Sequence, residues 1–213
     1  MTLFIATTAV LARKVRNGNG RDNPDLAFVQ AGELGNGSES MLGDMAIYTA
    51  AGSPSSNVGL IVVYDVFAFK VANTRAQCDR LATLLSCHVV LPDFYRGGVS
   101  PMSDPSLGDF MTWVKSGNRT WESVQRDLDT TIAHLKTKGC EKFAVLGFCW
   151  GGYIALEAAI SGKFACCIGV HAAMKLTGDA TGQCLDQISR LQSPLMLLQA
   201  CNDPDLKATA EVH

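Results

Sequence analysis

The sequence predicts an α/β protein, a mostly parallel sheet with helices packed on both faces. Two observations carry that expectation. From Val58 onward, short runs of Val, Leu and Ile alternate with segments of helical periodicity, and the runs are continuously apolar, as strands covered on both faces are. One run, from Phe143 to Leu146, meets an Ala/Leu-rich helical stretch across Gly147-Phe-Cys149-Trp-Gly151-Gly152, an abrupt strand-to-helix junction.

Taken in order, residues 13–40 are polar and rich in Gly, Asn and Ser, and read as a loosely ordered lead-in. Met45 to Tyr48 is a short strand after a Gly43-Asp44 turn. Val58 to Tyr64 is a central strand ending at Asp65-Val66-Phe67-Ala68. Asn73 is the expected cap of a helix from Thr74 to Leu85, with Ala76, Leu81, Leu84 and Leu85 on its apolar side. His88 to Leu91 is the next strand, stopped by Pro92-Asp93. The irregular stretch from Pro92 to Gly117 holds a short helix near Leu107 to Val114 and reads as a substrate-covering insertion.

Trp121 to Lys138 is a long helix. Val124, Leu128, Ile132 and Leu135 form its apolar stripe, and Glu122, Arg126, Asp127, Lys136 and Lys138 are expected to face water. After the Phe143 strand and the Tyr153–Ile160 helix, Phe164 to Val170 and Pro194 to Gln199 are the remaining strands. His171 stands at the tip of the first, and Asp203 follows the second. The domain reading is a poorly structured lead-in over 1–31 and one α/β domain over 32–213.

Composition narrows the function classes. A net charge of -2 with scattered basic residues argues against nucleic-acid binding. The eight cysteines show no Cys-x-x-Cys and lie mostly in apolar runs, which favours buried thiols in a reducing compartment over a disulfide framework or zinc site. No cysteine is spaced to resolve Cys149, so a thiol-redox role is a weak reading. The apolar stretch Met1–Ala12 lacks a basic region before it and is too short to span a membrane. The expected location is cytoplasmic, with an organellar or secreted destination as the lesser reading.

Gly-x-Cys-x-Gly between a strand and a helix is the cysteine form of the nucleophile elbow. The sharp turn holds the middle residue at strained angles with its side chain projecting. The flanking glycines let backbone segments pass without a Cβ clash. The Trp150 amide then sits at the helix start, where an unpaired N–H can face a developing oxyanion. The other reading of the motif is a tight structural turn around a buried cysteine.

Gly147-Phe-Cys-Trp-Gly-Gly152, Asp65-Val-Phe67, Leu91-Pro-Asp-Phe-Tyr-Arg-Gly97 and the Asp203 loop together resemble the dienelactone hydrolases, over roughly residues 32 to 205. The resemblance implies a three-layer α/β/α sandwich of the α/β-hydrolase fold. It also implies a cysteine hydrolase of small lactones or carboxylic esters, with no metal or organic cofactor. Cys149 matches the nucleophile and Asp203 the acid of a Cys-Asp-His triad. Val66 supplies the second oxyanion amide beside Trp150. Asp65 falls where the family carries an acidic residue near the resting cysteine, and Arg96 at its substrate-associated basic residue. Ala68 stands where Gly is usual.

The family's histidine lies some thirty residues beyond the acid, whereas this sequence ends ten residues after Asp203. A final strand and helix are also expected there, so the domain reads as C-terminally incomplete. His213 has the right chemistry in the wrong place, and His171 is a pocket-lining or turn histidine. Asp65 is either a site carboxylate or the cap of its turn, Asp203 a triad acid or a turn former, and Arg96 a pocket or surface arginine. The alternative function is a catalytically inactive homologue that binds a small ligand or a protein. A monomer is expected, with association through the unfinished edge as the other possibility.

Overall fold

The structure, a computed structural model, describes residues 37–101, 103–173 and 187–199. Within them seven strands form one sheet: β1 (Ser38–Leu42), β2 (Met45–Ala50), β3 (Val58–Val63), β4 (His88–Pro92), β5 (Lys142–Phe148), β6 (Cys166–Val170) and β7 (Leu195–Leu198). Their order is β1-β2-β4-β3-β5-β6-β7. The β1–β2 and β2–β4 pairs are antiparallel and every other pair is parallel.

Successive residues of a strand point to opposite faces. Leu60 to Val63 of β3 and Val89 to Leu91 of β4 are all buried, so the sheet is covered on both sides. The covering helices are α1 (Ala72–Leu85), α2 (Phe110–Val114), α3 (Trp121–Thr137) and α4 (Trp150–Ser161). Helix α1 packs on β2 and β4, while α3 and α4 pack on each other and against β3. The predicted α/β sandwich is therefore present. Residues 1–31 lie outside the described residues, as do Asp203 and His213.

Four expectations are corrected. The polar lead-in was expected to run through residue 40, but Ser38–Leu42 is a strand. It pairs with β2 through the Gly43-Asp44 turn, and most of its side chains are exposed, which is why its composition resembles a loop. Asn73 does not cap α1. Val71 holds that place without a side-chain hydrogen bond. Leu84 and Leu85 are exposed, and the helix instead buries the small row Thr74, Cys78, Ala82 at i, i+4 and i+8. Asp127, assigned to water, is buried on α3 against Arg96.

Among the described residues no helix is long and apolar enough to cross a membrane. On the far edge of the described sheet, β7 leaves Met196 and Leu198 exposed.

Candidate active site

Cys149 sits between β5 and α4 at φ 53° and ψ -107°. An L-residue with a branched or polar side chain seldom holds such angles, and surrounding contacts must fix them. Here they do. The Cys149 amide donates to the Val170 carbonyl at 2.9 Å, tying the junction to the tip of β6. Its carbonyl accepts from the amides of Gly152 (2.9 Å), Tyr153 (3.3 Å) and Ala173 (2.9 Å). The glycines around it are required by close approach. A Cβ on Gly147 would stand 1.8 Å from the Gly151 carbonyl oxygen, and one on Gly151 would stand 2.2 Å from the Val63 carbonyl oxygen. The start of α4 therefore presses directly on the ends of β3 and β5.

That approach brings the loop after β3 beside the junction. Asp65 caps this loop by accepting the Phe67 amide at 2.9 Å, and the Ala68 amide donates to the Asp65 carbonyl at 3.3 Å. Burial raises the Asp65 carboxyl above its ordinary range, with the Phe67 amide opposing. Among the described residues, neither the Val66 amide nor the Trp150 amide donates a hydrogen bond. Both residues are buried, one on each side of the Gly151–Val63 contact.

Ala68 occupies φ 75°, a left-handed conformation in which glycine carries no Cβ penalty. Ala68→Gly removes a strain of about 1–2 kcal/mol against a loss of about 0.4–1 kcal/mol through the freer unfolded chain. The variant is expected to be as stable as the parent or up to about 1.5 kcal/mol more stable. Thermal unfolding checks this, and a clear fall in Tm would mean the Ala68 methyl is a packing contact.

The remaining sequence-selected residues divide. His171 lies at the tip of β6 at φ 49°, its amide donating to the Leu198 carbonyl at 2.8 Å, on the same edge as Cys149. Arg96 is committed to carboxylates. Its two terminal nitrogens donate to the Asp127 oxygens at 2.8 and 2.9 Å, Nε donates to Asp44 at 3.3 Å, and Nη1 also donates to the Asp93 carbonyl at 3.1 Å. The hydrogen bond to Asp127 raises its pKa, with Asp44 adding to the effect and desolvation opposing. Arg96 thus joins the β1–β2 turn, the loop after β4 and helix α3.

Sequence reasoning missed an aromatic wall. Tyr95 packs against Tyr64 at 4.8 Å, and against Trp113 and Trp150 at 5.0 Å each between ring centroids. The Tyr64 hydroxyl donates to Asp93 Oδ1 at 3.2 Å and accepts the Tyr95 amide at 2.8 Å, so Asp93 organises the loop from within. The Arg119 guanidinium lies 4.2 Å over the Trp113 ring, and its Nε donates to the Trp113 carbonyl at 2.7 Å. Arg119 also lines a cleft of about 210 Å³ with Lys115, Trp121, Glu122 and Tyr153. Tyr153, which lines the cleft, stands one turn of α4 beyond Cys149. The signal available in the sequence was the aromatic cluster flanking Arg96 at a strand tip.

A strand order of 1-2-4-3-5-6-7 with a strained cysteine between β5 and the following helix defines an α/β-hydrolase fold. The chain belongs to the dienelactone hydrolase family, which matches residues 45–212, and hydrolase is its class at the level of that family. It is 31% identical over 124 residues to a carboxymethylenebutenolidase homolog of Rattus norvegicus, covering 56% of this chain and 48% of that protein. The Homo sapiens homolog is 25% identical over 173 residues, covering 79% and 65%. The chain spans about half the length of the first of these curated relatives. A dienelactone hydrolase-like promiscuous phosphotriesterase from metagenomic libraries shares the fold at TM-score 0.53 and 22% identity, over 79% of this chain and 69% of its own.

Proposed function

We propose that the protein is a cysteine-nucleophile hydrolase of small lactones or carboxylic esters, with Cys149 as the nucleophile. The observation that carries this reading is the strained Cys149 backbone at the strand–helix junction, held by four hydrogen bonds, with the Val66 and Trp150 amides donating none among the described residues. In the proposed reaction the Cys149 sulfur, as thiolate, bonds to the carbonyl carbon and the C=O electron pair moves onto oxygen. The Val66 and Trp150 amides receive that oxyanion. Donors already fixed by the fold need no rearrangement, and in comparable sites losing one costs about 3 kcal/mol of barrier. Collapse breaks the bond to the alkoxy oxygen, which leaves with a proton from the general acid. Water then hydrolyses the thioester. Asp203 is proposed to orient the proton-carrying histidine of the family's triad, whose place some thirty residues beyond the acid lies outside this sequence.

The other thiols provide an internal control. Burial raises the pKa of Cys78 far above its usual value and that of Cys167 to about 12. One equivalent of iodoacetamide at neutral pH should therefore alkylate Cys149 first, because only a thiolate attacks at a useful rate. Peptide mass mapping reads the site. Preferential labelling of Cys78 or Cys167 would remove the nucleophile assignment, and so would hydrolysis of p-nitrophenyl acetate that survives Cys149→Ser.

A further inference from the structure

Tyr64 is the last residue before the loop that carries Asp65 and Val66, and it is fully buried. A phenylalanine would fill that place as well, so the hydroxyl needs its own explanation. It has two partners. It accepts the Tyr95 amide at 2.8 Å and donates to Asp93 Oδ1 at 3.2 Å. Asp93 is itself fixed, because its other carboxylate oxygen accepts the Gly97 amide at 2.6 Å. The far end of the Tyr64 ring is thus fastened to the loop after β4.

The ring's face belongs to the other side of the junction. It stacks on Trp150 with 6.0 Å between centroids and 28° between planes. Phe94 holds both rings, 5.8 Å from Tyr64 and 6.0 Å from Trp150. The backbones meet too, since a Cβ on Gly151 would stand 2.8 Å from the Tyr64 carbonyl oxygen. One residue therefore connects both amides: Val66 lies two positions along the chain from Tyr64, and Trp150 lies against its ring. Burial, with Tyr95 and Asp93 adding, keeps the phenol well above its ordinary pKa, so it remains an O–H donor.

We infer that Tyr64 is a positioning residue: tied to Asp93 through its hydroxyl, it holds the Val66 and Trp150 amides in register with each other for the oxyanion. This rests on the reading of Cys149 as the group that is acylated and of these amides as its donors. Tyr64 touches no reacting atom. A donor slightly displaced loses much of its value to a charge that develops only in the transition state.

Two reactions of the same sulfur test it. In acylation by p-nitrophenyl acetate the sulfur bonds to the carbonyl carbon, charge gathers on the carbonyl oxygen, and p-nitrophenolate leaves. In alkylation by iodoacetamide the sulfur displaces iodide and no oxyanion forms. Both rates scale with the Cys149 thiolate, so their ratio isolates the oxyanion donors. Intact mass and peptide mapping follow each reaction at Cys149, and the urea-unfolded chain gives the ratio for a thiol without donors. Tyr64→Phe should lower the acylation-to-alkylation ratio roughly tenfold, short of the roughly 100-fold that follows loss of a whole donor. The fall should lie in the limiting acylation rate, with the half-saturating ester concentration unchanged. A hydroxyl that only supports the fold would leave the ratio unchanged or lower both rates equally, and either result overturns the inference. Where Tyr64→Phe folds poorly, Asp93→Asn keeps the phenol, weakens its acceptor, and should lower the ratio roughly threefold. No change in that variant overturns the inference as well. If the parent's ratio equals that of the unfolded chain, the oxyanion reading itself fails. If neither reagent marks Cys149, the nucleophile reading falls, and this inference falls with either.

Discussion

Gly147→Ala is expected to leave little folded protein. The added methyl would stand 1.8 Å from the Gly151 carbonyl oxygen, 2.2 Å from its carbon and 2.8 Å from the Gly152 nitrogen. All three are backbone atoms, so no side-chain rotation relieves the clash. Moving α4 away is no easier, because its Gly151–Trp150 end is wedged between the ends of β3 and β6 and buried among aromatic rings. Ordinary overpacking costs about 1–3 kcal/mol, and a backbone collision of this depth should exceed it, at about 4 kcal/mol or more against a total stability of roughly 5–15 kcal/mol. Gly43→Ala is the control. Gly43 has φ +65° and nothing within 4 Å of the added methyl, so only about 1 kcal/mol is expected there. Soluble yield and urea midpoints of the two variants decide the matter. Equal behaviour would mean that the junction between β5 and α4 is loose.

Asp127→Ala should produce the next largest loss. Asp127 and Arg96 form a two-pronged pair at 2.8 and 2.9 Å, and their side chains are 13% and 22% exposed. Removing the carboxylate strands a guanidinium that is mostly out of water, a change worth about 3–5 kcal/mol for a fully buried pair. Partial exposure and the remaining Asp44 contact reduce this to about 2 kcal/mol, or a Tm lower by roughly 4–8 °C. The double variant Arg96→Met/Asp127→Ala, which strands no charge, should recover part of the loss. If the single and double variants melt together, the pair is not coupled.

These two residues also show what a sequence conveys. Gly147 was legible, because Gly-x-Cys-x-Gly after an apolar run has a mechanical meaning within a few residues of chain. The central strands were legible for a similar reason, since continuous burial writes a continuous apolar run. Asp127 was not, because helical periodicity counts a lone carboxylate as solvent-facing and its partner lies 31 residues away. Strand β1 was hidden by its own exposure, which gives Ser-Glu-Ser no apolar alternation. Tyr95 was passed over because a tyrosine in an irregular segment gives no sign of the distant rings it packs against.

The strand order also shapes how the chain comes off the ribosome. Strands β1, β2, β4 and β3 occupy contiguous places in the sheet and are all complete by Pro92, whereas β5, which closes the other side of β3, starts only at Lys142. At a synthesis rate of about 5–20 residues per second, the nascent chain carries a half-sheet for roughly 2–10 seconds before β5 begins to emerge. Its open border is Val58-Gly-Leu-Ile-Val-Val63, an uncharged, Val/Ile-rich strand with its hydrogen-bonding groups unmet on one side. That border pairs with anything extended that reaches it. The newborn protein is therefore most vulnerable to aggregation before the elbow has been made, in the segment that will later lie at its centre.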